Sequence, residues 1–318
     1  MVGLDEIWEA RERIAAVVTR TPLIRCPKAP PGVGAYFKPE SLQPIGSFKI
    51  RGAYNRIAAL PEEVRRRGVI AYSSGNHAQG VAYAARHLGI PAVIVMPTNA
   101  PPVKVEATRG YGAEVVLYDP ASERREEVVA RMMEGHDWTL VPPFDDDYVL
   151  AGQGTIGLEI LEDLPEVDLV LVPVGGGGLI GGVATAIKSL RPDVRVIGVE
   201  PALAADAQAS FRGGEIVEIT AAQAGQTIAD GVRTLRVGAI TFAHIRRYVD
   251  DIVTIGEAEI ESATRKLLLG AKLVVEPTAA LPFAAYLYHQ RELPASRNTV
   301  MVLSGGNIDP AMLRSLLA

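Results

Sequence analysis

Leu169-Val170-Leu171-Val172-Pro173-Val174-Gly175-Gly176-Gly177-Gly178-Leu179 is the stretch from which the fold can be read. Its first six residues are apolar without alternation, the pattern of a strand buried on both faces of a parallel sheet. Four consecutive glycines follow, at an entropic cost well above what a turn requires. A strand, a glycine turn and a helix gather unpaired backbone N–H groups and the positive end of the helix around an anion, which suits a phosphate. Taken alone, Gly176-x-Gly178-x-x-Gly181 with Glu200 at the end of the next strand also satisfies the dinucleotide pattern. That leaves an NAD-dependent oxidoreductase open.

The same rhythm extends outward in both directions. Upstream, strands are predicted over 35–38, 69–72, 92–96, 114–118 and 138–141, with helices over 5–19, 50–60, 77–88, 102–109 and 122–134. Downstream, strands are predicted over 194–199, 251–255 and 299–303, with helices from 260 and over 310–318. Strands alternating with helices of this length imply βαβ units, mostly parallel sheets and ligand sites at the carboxyl ends of the strands. The pattern divides the chain into a small α/β layer over 55–145 and a larger one built from 1–54 and 146–318.

Composition narrows the class. The chain has 318 residues, 48% hydrophobic and 22% charged, which excludes a disordered chain and provides for a sizeable core. A net charge of −5 gives no reason to expect nucleic acid or an anionic membrane as partner, so a small molecule is expected. The lone Cys26 precludes an intrachain disulfide. The first residues carry no basic-then-apolar leader and no apolar run approaches a bilayer span, so a cytoplasmic protein is expected.

Three further segments carry chemistry. In Ser47-Phe48-Lys49, Ser47 is a candidate N-cap, which puts Lys49 in the first turn. A cation there opposes the helix dipole, and the lowered pKa that results is what a Schiff-base lysine needs. Ser73-Ser74-Gly75-Asn76-His77 falls between a strand and a helix, where side-chain and backbone donors suit either an oxyanion or a carboxylate. Ser304, in Ser304-Gly305-Gly306-Asn307 after the last strand, offers either a cap or a neutral hydroxyl for a heteroaromatic nitrogen.

Together with Ala151-Gly152-Gln153-Gly154-Thr155-Ile156, Thr227-Ile228-Ala229-Asp230-Gly231-Val232 and Glu276-Pro277-Thr278, these segments occur in an order that resembles one family. It is the fold-type II pyridoxal-phosphate (PLP) enzymes, similar to tryptophan synthase β, and within them the threonine/serine dehydratases and serine racemases. The resemblance implies that Lys49 carries the cofactor as a Schiff base and that Phe48 packs on its ring. It implies that Asn76 bonds the 3-hydroxyl, that Gly175, Gly176, Gly177, Gly178 and Leu179 hold the phosphate, and that Ser304 meets the pyridine nitrogen. Residues 73–77 are expected to receive the substrate carboxylate, where the helix N-terminus favours an anion.

The expected activity is β-elimination of L-threonine or L-serine to a 2-oxo acid and ammonia. Ser74 stands where many dehydratases of the family carry alanine and the racemases carry a serine that works opposite the lysine. Serine racemisation is therefore the alternative, and a non-catalytic ligand-binding relative a remote one. The resemblance further implies a divalent cation (Mg²⁺, Ca²⁺ or Mn²⁺) held by Glu200, the Ala204 carbonyl and Asp206, and a homodimer or higher homo-oligomer. Two departures stand out: Ala280 where relatives place glycine, and Phe144 where the racemase has asparagine, which argues against its nucleotide-activation site. With the last helix at 310–318, no C-terminal regulatory domain is expected.

Overall fold

The structure, a computed structural model, describes residues 1–317. Ten strands form two sheets. The larger contains β1 (Ile24–Arg25), β2 (Gly34–Pro39), β7 (Leu169–Pro173), β8 (Arg195–Pro201), β9 (Asp251–Ile255) and β10 (Asn298–Leu303), in the order β1-β2-β10-β7-β8-β9. The smaller contains β3 (Val69–Tyr72), β4 (Ala92–Pro97), β5 (Glu114–Tyr118) and β6 (Thr139–Leu140), in the order β5-β4-β3-β6. All pairings are parallel except β1 with β2.

The decisive strand is buried on both faces. Leu169 and Leu171 of β7 pack with Ala279, Ala280 and Phe283 on one side. Val170 and Val172 pack with Ile180 and Val183 on the other. Each such side chain stabilises the fold by roughly 1.5–3 kcal/mol, so sandwiching the strand between helix layers dominates the local energetics.

Both sheets have a switch point where chain order reverses. In the larger it lies between β7 and β10, in the smaller between β3 and β6. Crevices outside the carboxyl ends of strands at such points are where open α/β sheets bind ligands. Here the two crevices face one another.

Several element bounds differ from expectation for identifiable reasons. The first helix is Leu4–Ile14 and not 5–19, because Val17-Val18-Thr19 is β-branched and Thr21 precedes Pro22. The helix expected over 122–134 begins at Arg125. Asp119 accepts from Ala121 through its side chain and from Ser122 and Glu123 through its carbonyl, which diverts those residues into a turn. The last helix is Pro310–Leu317, and residue 318 lies outside the described residues.

Asp147–Asp163 is a helix that propensity hides. Gly152, Gly154 and Gly157 together cost about 3 kcal/mol relative to alanine there. Close packing requires them: a Cβ on Gly152 would lie 2.6 Å from the Arg51 carbonyl oxygen, and one on Gly157 2.9 Å from that of Val183.

Candidate active site

Between the carboxyl ends of β3, β6, β7 and β10 lies a cavity of about 360 Å³. Residues 48–49, 73–77, 175–179 and Ser304 all line it, so four segments scattered over 257 positions meet in one place.

Lys49 is the first residue of the helix Lys49–Ala58. The N-cap position belongs to Phe48 and makes no side-chain cap bond, so Ser47 is not the cap. Instead Ser47 is buried, pairs by backbone bridge with Gly305, and leaves its Oγ without a partner. The Phe48 N–H donates to the Ser304 carbonyl at 3.0 Å, which ties the lysine to the end of β10. Lys49 Nζ donates to the Pro143 carbonyl at 2.6 Å and lies 5.1 Å from the Phe48 ring centroid. Burial pushes its amine down to about 8, against the pull of the Glu276 carboxylate.

The same helix is anchored from below by a charge network that motif reading missed. Arg51 is fully buried and donates to Glu40 at 2.8 Å and to Glu159 at 2.7 Å; Lys38 donates to Glu159 at 2.6 Å. Two cations against two carboxylates, each hydrogen-bonded, is the form in which buried charge is tolerated.

The loop after β3 turns sharply: the Gly75 N–H donates to Ser73 Oγ at 3.1 Å, and the helix Asn76–Leu88 begins at once. Free N–H groups of that first turn make an anion site. Ser74 is exposed at the cavity, whereas His77 is buried. His77 Nε2 bonds the Val141 carbonyl at 2.9 Å, and burial with Lys49 nearby pushes the ring down to about 3, so it is neutral at pH 7.

The glycine turn is a cradle that side chains would fill. A Cβ on Gly176 would lie 2.4 Å from the Phe144 ring, and Gly177 has φ of +89°. Phe144 thus closes one wall of the cradle, a role no sequence signal announced. Thr241 Oγ1 donates to the Gly176 carbonyl at 2.7 Å and holds the loop from behind. Across the cavity, Ser304 is buried with its Oγ unpartnered. A glycine cradle for an anion, a neutral orphan hydroxyl and an amine of lowered pKa form a donor set that fits a phosphorylated heteroaromatic aldehyde. Glu200 is excluded as a ribose-binding acid: it does not line the cavity, and its carboxylate accepts from the Ala207 and Gln208 N–H groups at 2.9 Å each.

Further ionisable groups line the cavity, Lys104, Asp230 and Glu276 among them. Lys104 Nζ meets Asp230 at 2.6 Å, bridging the helix Pro102–Gly110 and the turn 230–232. Glu276 is buried at the start of the helix Pro277–Tyr288, and burial pushes its carboxyl up to about 7, against the field of Lys104. Lys104 had no local signal; Glu276 stood in a recognised segment without an assigned part.

Glu200 and Asp206 form a buried pair away from the cavity, and both Asp206 oxygens lack partners. Burial pushes Glu200 well up and Asp206 to about 7. Among the described residues no cluster of three or more His, Cys, Asp or Glu side chains is placed to hold a metal. Also among them, no helix is long and apolar enough to cross a membrane.

Fold and cavity define a class, and comparison with known proteins supplies it. Residues 14–305 match the family model of the pyridoxal-phosphate dependent enzymes, and the chain belongs to that family. It is 46% identical over 319 residues to an L-threonine ammonia-lyase of Thermotoga maritima, covering 100% of this chain and 78% of that one. It is 44% identical over 315 residues to an L-threo-3-hydroxyaspartate ammonia-lyase of Saccharomyces cerevisiae, covering 98% and 95%. Among solved structures, maize serine racemase is similar with a TM-score of 0.93 and 39% identity, covering 99% of this chain and 97% of that one. The oxidoreductase alternative falls with this assignment.

Proposed function

We propose that the protein is a PLP-dependent lyase that converts L-threonine and L-serine to 2-oxobutanoate and pyruvate with release of ammonia. The observation that carries this reading is Lys49, an amine pushed down to about 8 in the cavity that the glycine cradle and Ser304 also line. The similarity to threonine ammonia-lyases supports it. PLP, when bound, supplies an electron sink for the substrate Cα.

The chain's residues do the rest. Lys49 would hold the cofactor and afterwards take the Cα proton. Phe48 would pack on the ring, and Gly175–Leu179 would hold the phosphate. Ser304 would face the ring nitrogen with a neutral hydroxyl, which keeps that nitrogen from full protonation and favours loss of a β-leaving group. Asn76 would donate to the 3-hydroxyl. The Ser73–His77 turn would receive the substrate carboxylate on helix N–H groups, with neutral His77 adding no charge.

A second reading, serine racemisation, is favoured by Ser74, which is exposed in the cavity that Lys49 lines. One incubation with L-serine and Mg²⁺ separates the two. Pyruvate in large excess over D-serine is expected; D-serine at a comparable rate would make racemisation the principal reaction.

The unpartnered Asp206 oxygens support a divalent cation held with Glu200 and the Ala204 carbonyl, since hard oxygen ligands suit Mg²⁺, Ca²⁺ or Mn²⁺. Adding Mg²⁺ or Ca²⁺ should raise the thermal midpoint of the wild type and not of Asp206→Asn; an equal rise in both would refute the site. The reading also includes a division into 1–54 plus 146–318 and 55–145, supported by the separate four-stranded sheet. It includes a homo-oligomer, supported by the exposed apolar Leu269 and Val274 and checked by light scattering.

A further inference from the structure

Asn76 faces the cavity with an amide whose two ends differ: one donates, the other accepts. Its orientation is decided by a chain of hydrogen bonds that starts at a group with no choice. The Ile45 backbone carbonyl can only accept, and Asn307 Nδ2 donates to it at 2.9 Å. With that amino group fixed, its other hydrogen goes to Asn76 Oδ1 at 2.8 Å. The Asn76 carbonyl is thereby engaged, and Asn76 Nδ2 is turned to Glu276, donating to Oε1 at 2.7 Å. Glu276 can accept at Oε1 whether its carboxyl is charged or neutral, and its Oε2 is buried without a partner.

The reversed amide would set the Asn76 amino group against the Asn307 amino group and its carbonyl against Glu276. The first contact would fail outright, and the second would fail while Glu276 is ionised, since a carboxylate has no hydrogen to give. The frame around the chain is stiff as well. Gly46 has φ of +72°, and a Cβ there would lie 2.5 Å from Asn307 Oδ1. The Gly306 N–H donates to the Gly46 carbonyl at 2.8 Å and the Glu276 N–H to that of Gly305 at 3.1 Å. Of the Asn76 amino hydrogens, one is used on Glu276 and one remains free.

We propose that Asn307 and Glu276 are positioning residues that lock the polarity of Asn76, so that it offers the bound cofactor one N–H donor and never an acceptor. The inference rests on the reading that PLP occupies this cavity with its 3-oxygen at Asn76. A donor at that oxygen favours its ionised, visibly coloured form over the neutral form that absorbs in the near ultraviolet. The lock therefore sets the resting colour of the holoenzyme, a property separate from turnover.

The test uses absorption spectra of purified holoenzyme at constant pH. Asn307→Asp replaces the donor by an acceptor but leaves the carbonyl of a turned amide against Glu276, so the ratio of visible to near-ultraviolet absorbance should fall by less than about tenfold, the scale of one lost hydrogen bond to a charged group. Glu276→Gln alone keeps an acceptor for Asn76, and its ratio should stay within about twofold of wild type, given the same energy scale. The double variant Asn307→Asp/Glu276→Gln satisfies both contacts of the reversed Asn76 amide, although the Ile45 carbonyl loses its donor, and here the full fall of about tenfold is expected. It should show the low ratio even if Asn307→Asp alone does not fold.

A fall as large in Glu276→Gln as in the double variant would overturn the proposal in favour of a charge effect of the carboxylate. An unchanged ratio in the double variant would overturn it outright. A colourless wild type after addition of PLP would instead sink the reading on which it rests.

Discussion

At Lys49 burial has a measurable chemical consequence. An ordinary lysine near 10.4 is less than about one part in a thousand neutral at pH 7, whereas an amine at about 8 is roughly a tenth neutral. Capture of an aldehyde needs the neutral amine. The rate at which apoprotein regains its visible band with PLP should therefore rise about tenfold per pH unit below 8 and level off above it. A rise continuing to pH 10 would show that burial does not act on this amine. Lys49→Ala should neither form the band nor turn over. Ser74 supplies the complementary test: Ser74→Ala is expected to lose D-serine formation and keep most pyruvate formation, and a parallel fall of both would make Ser74 a substrate-positioning group.

At the scale of elements, the helix Lys49–Ala58 is held by a buried charge network as well as by the apolar packing of Ile50, Ala53 and Ile57. Glu159→Gln would leave Lys38 and one arm of Arg51 buried without a counter-charge, at a cost of about 3–5 kcal/mol. The thermal midpoint should fall by roughly 5–10 °C. Glu162→Gln, three residues further along the same helix, removes an exposed partner of Arg11 and Arg20 and should cost less than about 1 kcal/mol. Equal effects would mean that the buried network contributes nothing special.

Elements were also where legibility in the sequence varied most. The strands Val69–Tyr72, Glu114–Tyr118 and Asp251–Ile255 have the bounds that apolar runs and turn residues announce. The helix Asp147–Asp163 was obscured because its glycines answer to neighbouring backbones, not to helix propensity. In the cavity, residues within glycine-rich or serine-rich turns announced themselves. Lys104 did not, and Phe144 and Glu276 stood out only as a departure and as part of a recognised segment, since an isolated aromatic, lysine or glutamate acquires its part in a cavity only from what the fold brings beside it.

The whole molecule is closed by its latest strand. β10 lies between β2 and β7 at the centre of the six-stranded sheet, about 260 residues after β2. At ~5–20 residues per second a ribosome takes on the order of 13–50 s to join them. Throughout that interval β2 presents an open edge, and β7 does so over its later half, once residues 169–173 have been made; such edges pair with other chains. Ser304 and Asn307, which follow β10, are missing as well. A ribosome-bound chain stalled before Asn298 should thus be readily proteolysed and take up no PLP; a stalled chain that turned yellow would refute this order of events. On this order of events loading of the cofactor waits until the chain has passed Asn307, so colour would report synthesis beyond that residue.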